Sequence, residues 1–234
     1  MITKENILFC IVGLLGGLIV GFMFANSVNQ GQLGTPTTNA AAAMPGTGGV
    51  PSGHPPMSGQ DGSMEDITVA IEKARAEPNN FDAQIRAAEL FYQIQRFDGA
   101  IEFLKKAAEI KPDDYVTLMN LGNAYFDSSK FDEAEKTYTQ ALAKKPDDLD
   151  VRTDLGLTFV MRPKPDLDRA VKEFNAVLEK DPNHKMALQN LALAYTKKGD
   201  AKKANEVIAK LEAVDPEGGA AAKLKEEVAK IGTN

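Results

Sequence analysis

Few residues of this chain could carry metal, thiol or phosphate chemistry, and their spacing supports none of it. Cys10 is the single cysteine, so the chain can build no internal disulfide and no thiolate metal site. The two histidines, His54 and His184, have no carboxylate or second histidine at ligand spacing. Met44, His54 and Met57 would suit a soft metal, but they are scattered through a Pro/Gly-rich stretch. The run Gly46-Thr47-Gly48-Gly49 follows no strand and opens no helix, so it cannot cradle a phosphate and reads as linker. No G-x-S-x-G and no H-E-x-x-H is present. Paired carboxylates fall at helix caps or on solvated faces. The expectation is a protein with no catalytic site, no metal and no cofactor. The net charge of −6 argues against nucleic acid as a partner, because that needs a basic face.

What organises the chain is a proline ruler. Pro78, Pro112, Pro146, Pro182 and Pro216 are separated by 34, 34, 36 and 34 residues. A period near 34 is the length of a helix–turn–helix unit in an α-solenoid. Four units follow, 81–114, 115–148, 149–184 and 185–218. Their seventh and eighth positions read Ala87-Ala88, Leu121-Gly122, Leu155-Gly156 and Leu191-Ala192. The eleventh reads Phe91, Tyr125, Phe159 and Tyr195. Ala100, Ala134 and Ala204 recur at the twentieth, each followed four residues later by Leu104, Tyr138 and Ile208. In the third unit the same pair, Ala170 and Phe174, is displaced by two.

This pattern resembles the tetratricopeptide repeat, over residues 81–218. The family's tryptophan is missing; Gln84, Leu118, Arg152 and Leu188 stand in its place. The resemblance implies an all-α fold, an α-solenoid of paired helices that presents a surface to other proteins. Small residues at the eighth and twentieth positions let the helices of a pair approach closely. Proline ends each second helix, and Asp113-Asp114 and Asp147-Asp148 can cap the next. Residues 64–80 look like a half repeat, and 219–231 like a polar-backed capping helix; the repeat domain is read as 64–234. The surplus of the third unit falls at Arg162-Pro163-Lys164-Pro165-Asp166 and is expected to be a tolerated, proline-stiffened loop, or else a rim contact for a partner.

The resemblance also implies that the first helix of each unit lines the concave face. The family's carboxylate clamp needs a lysine at the fifth position, where this chain has Ile85, Met119, Thr153 and Gln189, so such a clamp is not expected. Asn120, Asn123 and Asn190 could still hydrogen-bond a peptide, and Arg86 could meet a carboxylate. The remaining groove positions are Tyr92, Met119, Phe126, Leu157, Val160, Met186 and Leu193. As an apolar strip they suit a helix or extended peptide of a partner protein.

Upstream of the repeats, residues 7–25 carry no charge and would form a helix of roughly 28 Å, close to the hydrocarbon core of a bilayer. Residues 1–26 are therefore expected to be an uncleaved transmembrane anchor; a cleaved signal with a secreted product is the alternative. Lys4 and the α-amino group favour a cytoplasmic N-terminus, which places the repeats on the extracytoplasmic, in bacteria periplasmic, side of the inner membrane. Residues 27–63 are a Gly/Pro/Ala/Thr-rich linker, expected to be disordered. Gly13, Gly17 and Gly21 share one helix face at the spacing that lets membrane helices touch backbones, so a homodimer is a second expectation. The arrangement resembles anchored envelope repeat proteins, both those that present apocytochrome c for haem attachment and those ancillary to the secretion translocon. The leading expectation is a non-enzymatic scaffold for protein partners; the rival is a structural oligomer organising an envelope complex. A Gly17→Ile variant should lose the dimer band in mild-detergent crosslinking, and an unchanged band would remove the dimer.

Overall fold

The computed structural model describes residues 64–231, and every element among them is an α-helix. The half repeat is α1 (Met64–Ala76). The four units are α2 (Phe81–Gln93) with α3 (Phe97–Ile110), α4 (Tyr115–Asp127) with α5 (Phe131–Lys144), α6 (Leu149–Met161) with α7 (Leu167–Lys180), and α8 (Lys185–Lys198) with α9 (Ala201–Val214). The last helix is α10 (Gly219–Ile231). Each ruler proline lies two residues beyond a helix, where its ring cannot disturb the last turn.

Side chains decide where the first helices begin. Asn80 accepts the Ala83 N–H at 3.1 Å, Asp114 the Thr117 N–H at 2.8 Å and Asp148 the Val151 N–H at 3.0 Å. Only the second aspartate of each pair caps. Asp113 and Asp147 instead bind Lys144 and Lys180, at the far end of the next unit's second helix. Unit four is capped by His184, whose Nδ1 accepts the Ala187 N–H at 3.2 Å. Its Nε2 lies 3.2 Å from Asp150 of unit three, a carboxylate that local spacing could not reveal.

Within a pair the helices meet through a ring laid over a glycine. A Cβ on Gly122 would stand 2.6 Å from the Tyr138 ring, and one on Gly156 2.5 Å from the Phe174 ring. At the same positions units one and four carry Ala88 with Leu104 and Ala192 with Ile208. The extra methyl is thus tolerated where the facing side chain is aliphatic. All eight residues lie in the core.

The surplus of unit three has a backbone explanation. The turns of units one, two and four each hold one residue in the left-handed region: Gln95 (φ 57°), Ser129 (φ 60°) and Gly199 (φ 76°). The longer turn at Arg162–Asp166 reverses without one, closing instead through the Asp166 N–H on the Phe159 carbonyl at 2.9 Å. It is tied back to unit two. Glu135 on α5 accepts from Arg162 at 2.7 Å and Arg169 at 2.6 Å. Partial burial alone would raise the Glu135 carboxyl's pKa, but the two guanidiniums outweigh it and hold it below the usual carboxylate value. Both guanidiniums also lie over the Phe159 ring, Arg169 at 4.0 Å from its centroid.

Gly156→Ala should destabilise the protein by about 1–3 kcal/mol in urea unfolding, despite alanine's better helix propensity. Combining it with Phe174→Leu, which recreates the pairing of units one and four, should cost less than the two changes added. Additive costs would refute the ring-over-glycine explanation.

Candidate protein-binding face

The first helices of units three and four also pack on each other, α6 against α8, and α8 touches the last helix, α10. This crowds them on the inner side of the stack, and it decides which groove candidates a partner can reach. Arg86 is exposed and pairs with Glu89 at 3.7 Å. Tyr92, Asn120, Met186 and Leu193 are half-buried. Met119, Asn123, Phe126, Leu157, Val160 and Asn190 are buried. Those six therefore form the floor and packing of the face rather than its surface. Phe126, for example, meets Phe131 edge-on with centroids 5.6 Å apart. Val116 on α4, absent from the expected strip, is 47% exposed. Gly13, Gly17, Gly21 and the apolar run 7–25 lie outside the described residues, and no described helix is long and apolar enough to cross a membrane.

Three units bring together a polar seam. Tyr92 of α2 donates its hydroxyl to Asp127 at the end of α4. Tyr138 of α5 passes Gly122 and donates to the Asn123 carbonyl oxygen at 2.7 Å. Tyr115 donates to Asp148 at 2.5 Å. Asp154 of α6 is 2% exposed, and its charge acts on all three hydroxyls. Burial first, then the carboxylates, pushes Tyr92, Tyr115 and Tyr138 well above the ordinary tyrosine value. The Asn123 amide nitrogen is buried and has no hydrogen-bond partner. Asp127 and Asp154 were not among the candidates read from the sequence. A signal for Asp154 existed: it occupies the sixth position of its unit, in phase with Arg86, Asn120 and Asn190.

The outer side shows what replaces the missing tryptophans. Leu118 and Leu188 each floor an open groove, one walled by Lys105, Tyr125 and Gln140, the other by Leu178, Tyr195 and Lys210. The second encloses about 790 Å³. In unit three the position is filled by Arg152, which binds Glu173 at 3.0 Å and the Pro146 carbonyl at 2.9 Å. Gln84 is buried and ties unit one to α1 through the Ala74 carbonyl at 2.7 Å.

The model of the tetratricopeptide repeat matches residues 62–121, 95–155 and 166–228. The chain belongs to the tetratricopeptide repeat family. The stretch between the matches, 156–165, holds most of the lengthened turn of unit three. No curated protein matches the chain. Among solved structures, a MamA protein aligns with TM-score 0.58 at 23% identity, covering 64% of this chain and 81% of that one. MamA from Desulfovibrio magneticus RS-1 aligns with TM-score 0.59 at 18% identity, over 65% and 85%. A tetratricopeptide repeat protein from Parabacteroides merdae ATCC 43184 aligns with TM-score 0.58 at 22% identity, over 66% and 60%. At these identities the likeness shows the tetratricopeptide repeat fold alone.

The seam makes the repeat domain sensitive to alkali. A tyrosine that keeps its proton when folded and titrates near 10.0 when unfolded loses stability as pH rises above that value. Wild type should therefore lose about 1 kcal/mol more than Tyr138→Phe between pH 10 and 11, by urea unfolding at each pH. Parallel stability curves would show that Tyr138 ionises freely in the fold.

Proposed function

We propose that the repeat domain is a protein-binding scaffold without catalysis, holding a peptide or helix of a partner on the inner face of its stack. The observation that carries this reading is the face itself. Exposed Arg86 and Val116 and half-buried Tyr92, Asn120, Met186 and Leu193 share one side of the stacked first helices, mixing apolar contact with hydrogen-bonding groups. The buried residues beneath hold that surface in place, so a partner meets a preformed face. Residues 7–25 anchor the chain in the inner membrane, with the N-terminus cytoplasmic and the repeats on the periplasmic side. Their uncharged length and the flanking Lys4 support this. Residues 27–63 then act as a tether with an r.m.s. span of roughly 30–35 Å. A second reading, an oligomer joined through Gly13, Gly17 and Gly21, is favoured by the glycine face of the apolar run.

Met186→Glu/Leu193→Glu places two charges on the half-buried strip. The full chain carrying this change should lose its captured partner in pull-downs while its helical circular dichroism is unchanged. Equal recovery would overturn the inner-face reading. A monomer by light scattering of the full chain in mild detergent would remove the oligomer.

A further inference from the structure

The inner face is not electrically neutral, and its charges are sorted along the stack. On α2, α4 and α6 the inner stripe carries Asp82, Glu89, Asp127, Asp150 and Asp154. Arg86 is the basic residue of this stripe and is paired with Glu89; Arg152 of α6 turns away to Glu173. On α8 the sign changes, with exposed Lys197 at the place that Asp127 holds in unit two.

Within the acidic part, the seam combines carboxylates with groups that suit a specific guest. Half-buried Tyr92 and Asp127 are where solvent reaches it; Asn123, Tyr138 and Asp154 are closed off behind them. The charges acting on Tyr92 come from Asp127 and Asp154, and those acting on Tyr115 from Asp148, Asp150 and Asp154. Independently of these carboxylates, the Asn123 side chain is 1% exposed and its amide nitrogen lacks an acceptor. Such buried donors are few among the described residues, the Arg162 Nε being another, and this one is open to an oxygen that arrives with a ligand. Val116, exposed at the second position of its unit, lies between Asp82 and Asp150 at that position in the neighbouring units.

We propose that this seam binds a basic segment of the partner, which moves the half-buried Tyr92 hydroxyl off Asp127 to seat a lysine or arginine side chain against Asp127 and Asp154 and a backbone carbonyl on the Asn123 amide behind them. The inference rests on the inner-face reading above and names its ligand chemistry. Charge-assisted hydrogen bonds from the cation to the carboxylates offset its desolvation, and the tyrosine rings accept its methylene stem. Val116 takes an apolar neighbour. The family's clamp for acidic chain ends is thus replaced by a site of opposite charge.

The test uses the full chain in mild detergent and three fluorescent peptides. One is a short amphipathic Leu/Ala/Lys peptide; the others carry Gln or Glu in place of Lys. The basic peptide should bind about tenfold or more tightly than the neutral one, the acidic one weakest, with the difference shrinking in high salt. Asp127→Asn and Asp154→Asn should each erase most of that preference and leave the neutral peptide's affinity unchanged. Glu226→Gln/Glu227→Gln removes charge from an exposed part of α10 and should leave the preference intact. Equal affinity for basic and neutral peptides overturns the proposal, as does a preference that survives Asp127→Asn or falls equally in the α10 variant. In those cases the inner-face reading still stands if the neutral peptide binds and Met186→Glu/Leu193→Glu abolishes that binding. If none of the peptides binds, both readings fail.

Discussion

The close approach of the two helices in each pair is the constraint on which the rest depends. In unit two the Tyr138 ring occupies the space a Cβ on Gly122 would need. Because nothing else stands there, the Tyr138 hydroxyl passes through the pair and reaches Asn123 on the far side. The same contact that packs the core therefore delivers a polar group to the inner face. Unit three has Gly156 but a phenylalanine opposite it, so no hydroxyl comes through. Units one and four have alanine facing an aliphatic side chain. The seam is centred where it is because one pair combines the glycine with a tyrosine.

Stacking the pairs is a second, longer-range problem, and charge ladders mark its solution. Lys130 in the turn of unit two reaches back to Asp98 at 2.7 Å, and Lys198 at the end of α8 to Asp168, each joining its unit to the second helix of the preceding one. Exposed pairs of this kind contribute little individually. They add to the other polar ties between units, such as Tyr92 on Asp127 and His184 beside Asp150. The clamp of Glu135 on Arg162 and Arg169 is the most buried of the charged ties, and it holds the one turn whose length differs.

Much of the fold was legible because its signals are local. A proline stops a helix within its own turn, an aspartate caps the N–H three residues on, and a 34-residue period counts pairs. The third unit's irregular interval located its lengthened turn, although not the reason for it, which is a backbone angle. The candidate face was legible only as a stripe. Leu157 and Leu193 hold the same place in their units, yet Leu157 is buried and Leu193 is half-buried. Helical phase tells which way a residue faces and says nothing about how near the next helix comes.

By itself, the sequence determined the paired helices, their ends, the half repeat before them and the helix after them, because each of these is decided by residues within a turn or a period of one another. The tertiary structure alone decided which stripe residues meet solvent. It also decided that Tyr92, Asn123, Asp127, Tyr138 and Asp154, drawn from three units, converge on one seam. No spacing along the chain encodes that convergence. It arises when whole helices are laid side by side, and the side chains that then meet are set by how closely a ring can press on a glycine.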